Sequence, residues 1–340
     1  MRRSVTSLTR PQAMHIPTRP MFKLAVDKID NWIFVTGVPR SGTTFAGKIL
    51  SLPLEVDYIH EPFNPRCGMP GISQGYRYVR PGLDTEETKR FHALAETIFS
   101  YDLQLAGRVR EKDPWLKRAT KRIVGSRGPF YLRLAKSNPF HKAAVIKDPT
   151  AGLLSEYLYL HFDVKPVIVV KHPTSFIASL KRVNWWPGYS KLDSQPHLIE
   201  DYFHDDDDFV NRDWSDPVLG AAAFWRAIYK VLLAQASKYP DWEVVTHERL
   251  SRDPVSTFRH LYEVLGLPWH SSVERKILQL TRGNRSAEAR SGAVQDFRRN
   301  SADIFEMRRD SLSLEERKEI FEIVEDVALQ IYTRESFAID

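Results

Sequence analysis

The segment Gly37-Val38-Pro39-Arg40-Ser41-Gly42-Thr43-Thr44 combines residue types that bind anions. It follows the apolar run Trp32-Ile33-Phe34-Val35-Thr36 and precedes a helical pattern starting near Phe45. Glycines let the backbone turn and aim N–H groups at one point, and a helix N-terminus adds partial positive charge. A phosphate cradle follows. The spacing is the G-x-x-x-x-G of nucleotide loops, but Thr43-Thr44 stands where the Lys-Ser/Thr pair belongs, and Arg40 lies inside the loop. That argues against ATP or GTP and against the Mg²⁺ that accompanies them, and no metal is expected. Lys171 and Ser179 form a second candidate site: a cation at a strand end and a hydroxyl two turns into the next helix can flank one phosphate. Two more strand ends carry ionisable groups, His60-Glu61-Pro62 and Lys147-Asp148-Pro149.

These groups need elements to hold them. Short apolar runs at Trp32–Thr36, Ala143–Ile146, Pro166–Val170 and Trp242–Thr246 read as buried strands. Helical stretches separate them. Asp84 with Glu87 predicts a capping box, as do Ser313 and Glu316 for a final helix running towards Tyr332. Asp216-Pro217 and Asp253-Pro254 each supply an N-cap followed by proline at the first helical position, and Gly266 ends the second of these helices. Alternating strands and helices imply an α/β fold, with a mainly parallel central sheet flanked by helices on both faces. Ligands in such sheets bind at the carboxyl ends of the strands, where all four candidate groups fall. With 340 residues, 42% of them hydrophobic, the chain can bury a full core, and one domain over residues 21–340 is expected.

The loop G-V-P-R-S-G-T-T resembles the 5′-phosphosulfate loop of sulfotransferases that use PAPS (3′-phosphoadenosine 5′-phosphosulfate), especially the tyrosylprotein sulfotransferases. The resemblance implies a P-loop-like sulfotransferase fold, with Arg40, Ser41, Gly42, Thr43 and Thr44 at the 5′-phosphosulfate end of the donor. Family members carry a basic residue and, eight positions on, a serine that grip the 3′-phosphate; Lys171 and Ser179 match. Arginine is usual where Lys171 stands, and a lysine gives a point charge in place of a two-pronged clamp, so Lys181 and Arg182 are further candidates. His247-Glu248-Arg249-Leu250 is similar to a family segment near the adenine, and Arg290-Ser291 with Arg298–Ser301 to a segment covering the donor, with Ser291 the better match.

Sulfuryl transfer by in-line displacement needs a base for the acceptor proton and charge stabilisation at the migrating group. By the same resemblance, Glu61 is the base and Lys147 contacts the sulfate in transit. His60 is the alternative base, and only one of the two adjacent side chains can face the donor unless the strand has already ended. Pro62 is expected to hold Glu61 extended. Two other readings compete: a P-loop kinase or NTPase, which lacks its lysine, and a non-catalytic nucleotide-binding module, against which Glu61 and Lys147 speak.

The acceptor stays open among glycan, lipid, small molecule and peptide. A net charge of +6 suits a polyanionic ligand without indicating nucleic acid. One cysteine, Cys67, rules out an intramolecular disulfide framework and suggests a reducing, cytoplasmic location. No apolar run has the length of a membrane span. Residues 1–20 form a basic arm, disordered or targeting in character. The run Asp205-Asp206-Asp207-Asp208 reads as a solvated insertion, and Trp185, Trp186 and Trp214 as either an acceptor wall or core.

Overall fold

In the computed structural model, residues 29–106, 127–189, 192–281 and 311–339 are described. Strands β1 (Asn31–Thr36), β2 (Val56–His60), β3 (Ala143–Lys147), β4 (Val164–Val170) and β5 (Glu243–Thr246) form a wholly parallel sheet in the order β2-β3-β1-β4-β5. The chain passes from β1 to the edge strand β2, returns to β3 between the two, and crosses to the other side of β1 between β3 and β4. The switch point therefore falls at the carboxyl end of β1, where the glycine loop lies. Pro166 interrupts β4 without cost to a second ladder, because β5 pairs only with Val167–Val170.

The helices in chain order are α1 (Thr43–Leu50), α2 (Glu86–Phe99), α3 (Arg127–Lys136), α4 (Ser155–Phe162), α5 (Pro173–Val183), α6 (Pro196–Tyr202), α7 (Asp207–Asn211), α8 (Pro217–Lys238), α9 (His247–Arg252), α10 (Pro254–Val264), α11 (Ser271–Thr281) and α12 (Leu314–Ala328). Strand alternation sends Trp32 and Phe34 into one apolar cluster with α2 and α4, and Ile33 and Val35 into another with α1, α10 and α11. A third cluster joins α5, α8 and α12 to the β4 side chains Ile168 and Val170. Helix α8 is long and apolar enough to cross a membrane, but most of it is core, with Phe224, Trp225, Ile228 and Tyr229 buried.

The proline-led caps form as expected: Asp216 accepts from Val218 and Leu219 N–H, and Asp253 from Ser256 N–H. Ser313 and Glu316 close their box, although α12 stops at Ala328, short of Tyr332. Asp84 does not cap α2. Thr85 does, its hydroxyl accepting from Thr88 N–H at 3.1 Å, while Asp84 pairs with Lys89 at 3.2 Å. Helix α1 opens at Thr43 rather than Phe45, so both loop threonines lie in its first turn. Asp206 is not part of a solvated run. It accepts ion pairs from Arg226 and Lys230, each at 2.7 Å, and so ties the segment before α7 to α8. Trp214 packs against Phe209, with ring centroids 5.1 Å apart, and it, Trp185 and Trp186 all lie against the core cluster. The basic arm and the segments around Ser291 and Arg298–Ser301 lie outside the described residues.

Candidate active site

His60, the last residue of β2, stands in register with Lys147, the last of β3. Both project to the face covered by α1. A Cβ on Gly47 of that helix would lie 3.1 Å from both Lys147 Cγ and Tyr58 Cε2. The Lys147 side chain has no solvent exposure, and its ammonium donates to Glu61 Oε1. A buried ammonium without such a partner would be destabilising by several kcal/mol.

Glu61 reaches that partner by an unusual route. Strand alternation would point it away from His60. Instead its φ is 52°, in the left-handed region, while its N–H still donates to Lys147 O at 2.8 Å. The extended backbone expected before Pro62 is therefore not what forms. The last ladder bond, the ion pair and a turn closed by Asn64 N–H on Glu61 O at 3.3 Å together outweigh strain of about 1–3 kcal/mol. In consequence both candidate bases converge, with His60 Nε2 3.7 Å from Glu61 Oε1.

Burial alone would raise the Glu61 pKa. Lys147, His60 and a 2.7 Å hydrogen bond from Asn64 Nδ2 to Oε2 together outweigh it, and the carboxyl falls to about 2. His60 is lowered to about 3, first by burial and then by Lys147. It is thus a neutral imidazole at pH 7, its Nδ1 3.1 Å from Tyr58 OH. Asp148 is buried and accepts from Phe63 N–H, Thr150 N–H and the Thr150 hydroxyl, stitching the loop after β2 to the loop after β3. Burial and the Glu61 charge push its carboxyl up to about 7.

The anion loop lies at the end of β1. Gly37 has φ 139°, Arg40 φ 72° and Gly42 φ 100°. A Cβ at Gly37 would lie 2.2 Å from Val169 O, and one at Gly42 would lie 2.6 Å from His247 Cδ2, so both positions require glycine. Ser41 N–H closes a turn on Val38 O at 3.1 Å. Among the described residues, the N–H groups of Gly42, Thr43 and Thr44 make no backbone hydrogen bond. Three donors at a helix N-terminus suit a phosphate or sulfate group.

Lys171 and Ser179 flank this loop and are both buried. Arg40 Nε donates to Ser179 Oγ at 2.8 Å, and Lys171 Nζ to Arg40 O at 3.4 Å. The two sequence-predicted anion sites are thus one contiguous surface. Lys181 pairs with Glu316 at 2.6 Å. Glu248 accepts from His172 N–H at 3.2 Å and from Tyr332 OH at 2.9 Å, a strut between α9, the end of β4 and the C-terminal segment.

Sequence reasoning missed several supports. Tyr229 OH donates to Val169 O at 2.7 Å and accepts from Val38 N–H at 3.2 Å, and Trp225 Nε1 donates to Lys171 O at 2.8 Å. Both come from α8, where their spacing reads only as a core stripe. Asn64 gave a fainter signal: it lies three residues after Glu61, within reach across a turn.

The sequence matches the family model described as "Sulfotransferase family" over residues 32–271, and the chain belongs to that family. It is a sulfuryl-transferring enzyme. No curated protein matches the sequence significantly. Solved structures similar to it include the sulfotransferase domain of the curacin biosynthetic pathway, at 16% identity and TM-score 0.46, covering 88% of this chain and 97% of that one. A mouse sulfotransferase complexed with PAP (the desulfated donor) is 12% identical with TM-score 0.39, covering 93% and 91%. A sulfotransferase from Mycobacterium avium is 13% identical with TM-score 0.40, covering 84% and 77%.

Proposed function

We propose that the chain transfers the sulfuryl group of PAPS to an acceptor hydroxyl or amine by in-line displacement, with Glu61 as general base. The observation that supports this reading best is the Glu61–Lys147 ion pair at adjacent strand ends, packed against the helix that begins at the anion loop. The first-turn amides of α1, with Ser41, Thr43 and Thr44, hold the 5′-phosphosulfate. Lys171 and Ser179 grip the 3′-phosphate, and Arg40, within the 5′-phosphosulfate loop, is hydrogen-bonded to Ser179. PAPS supplies the electrophilic sulfur; its S–O bond to the phosphate breaks as the acceptor O–S or N–S bond forms, and PAP leaves.

Glu61 receives the acceptor proton. A carboxylate near pKa 2 is a feeble base, and Lys147 is the main reason for that value. When Lys147 turns to the sulfuryl oxygens it stabilises the charge there, and the same movement restores basicity to Glu61. His60 is held neutral beside Glu61 Oε1, which keeps it as the second reading for the base.

The test is incubation with labelled PAPS and a mixed panel of glycan, lipid, phenol and peptide acceptors, beside Glu61→Gln. Label transfer by the wild type and none by the variant is expected. Transfer by both would remove Glu61 from the mechanism, and transfer by neither would exclude the acceptors of the panel.

A further inference from the structure

The turn after β2 contains a device for choosing which oxygen of Glu61 reacts. Asn64 Nδ2 donates to Oε2 at 2.7 Å, and Cys67 Sγ approaches the same oxygen at 3.8 Å, within sulfur hydrogen-bond range. The Asn64 amide cannot be flipped without loss, because its Oδ1 accepts from Arg66 N–H at 2.9 Å. Its backbone carbonyl is fixed as well, accepting from Cys67 and Gly68 N–H at 3.1 and 2.6 Å. A carboxylate oxygen has two lone-pair directions. Oε2 thus accepts two hydrogen bonds, from Asn64 and Cys67, whereas Oε1 accepts one, from Lys147, with His60 Nε2 at 3.7 Å.

The geometry points to Asn64 as the positioning residue of the reaction: it occupies Oε2, supported by Cys67, so that the acceptor proton is delivered to Oε1 beside Lys147. The inference rests on the reading of Glu61 as base. It gives the Asn64 turn a function that anchoring the chain alone would not require. The base is held at one angle by a neutral donor, while its second oxygen is hydrogen-bonded to the lysine that moves to the sulfuryl group, with His60 Nε2 next to it at 3.7 Å. Transfer of the proton to Oε1 then converts the carboxylate to an acid that is still hydrogen-bonded through Oε2, and no other group changes protonation.

The charged and titratable groups facing Glu61 are Lys147 and Asp148 from the end of β3, His60 and Tyr58 from β2, Cys67 from its own turn and Tyr76 beyond it. Asn64→Ala and Asn64→Asp leave all of them in place. Asn64→Asp also keeps an acceptor for Arg66 N–H, so the turn is retained even if the alanine variant folds poorly.

The experiment combines PAP release from PAPS with the acceptor panel, PAP binding by calorimetry, and ¹³C NMR of the Glu61 carboxyl, its signal assigned by its loss in Glu61→Gln. Asn64→Ala is expected to lower kcat about tenfold with unchanged PAP affinity, the scale of one lost charge-assisted hydrogen bond. Asn64→Asp is expected to lower kcat further and to move the Glu61 titration upward by about one pH unit or more, since two carboxylates then share a site. A Glu61 titration that stays put in both variants, with kcat within twofold of wild type, overturns the positioning role while an inactive Glu61→Gln leaves the base reading standing. An active Glu61→Gln overturns both.

Discussion

Arg40 and Ser179 are joined by a 2.8 Å hydrogen bond that spans 139 residues of sequence and links the glycine loop to the helix after β4. Lys171 adds a second link through Arg40 O. One connected set of side chains thereby joins the two candidate anion sites. Lys171→Ala should weaken PAP about 10–100-fold, the scale of a lost hydrogen bond to a charged group, and 5′-AMP far less. Calorimetry with both nucleotides in Mg²⁺-free buffer checks this. Equal losses for the two would detach Lys171 from the 3′-phosphate.

Lys147→Ala should lower kcat by about two to three orders of magnitude, with a modest change in donor affinity. The pH profile provides an independent readout. Lys147 is the main influence depressing Glu61 to about 2, and burial acts in the opposite sense. Removing the lysine raises the carboxyl pKa, so the acidic limb of kcat/KM should move upward and the residual activity should need higher pH. A variant with wild-type kcat and an unmoved limb would leave Lys147 a structural residue only.

Histidine and glutamate can be separated by titration. His60 is neutral at every pH above about 3, so it contributes no ionisation near pH 6–7. Asp148, pushed up to about 7, can bend the wild-type kcat/KM in that range, so the discriminating readout is whether such a bend survives in His60→Ala. His60→Ala should keep at least about a tenth of the activity, since it removes a neighbour and not the base. A bend near pH 6.5 that disappears in His60→Ala would transfer the base role to His60.

Gly42→Ala should cost the loop its shape. A side chain at φ 100° is strained, and the new Cβ would lie 2.6 Å from His247 Cδ2. Strain of about 1–2 kcal/mol predicts a loss of PAP affinity of about tenfold. Gly42→Ala combined with His247→Ala should recover only the part due to the clash. Full recovery in the double variant, measured by calorimetry, would show that φ at residue 42 is not limiting.

Much of this was legible in the sequence because it is local. Glycine spacing, a strand before it and a helix after it define an anion loop from Gly37 to Thr44, since backbone N–H groups converge wherever the chain makes that turn. Strand ends mark Glu61, Lys147 and Lys171 as candidates, the resemblance to sulfotransferases supplied their expected roles, and the parallel sheet follows from alternating strands and helices. Capping was readable where proline fixed the register, at Asp216 and Asp253, and misread by one residue at Asp84, where Thr85 competes within the same turn.

What the tertiary structure decided was direction and partnership. Alternation predicts opposite faces for His60 and Glu61, and only the left-handed backbone at Glu61, held by the Lys147 carbonyl and ammonium, brings both to one side. Asp206 reads as one carboxylate in a solvated run until α8 places Arg226 and Lys230 against it. Tyr229 and Trp225 read as core until the fold sets their polar tips on the strand and loop that hold the anion site. A sequence states which groups a local turn can present. The distances that set a pKa, or select one carboxylate oxygen over the other, arise between segments that meet only when the sheet and its helices pack.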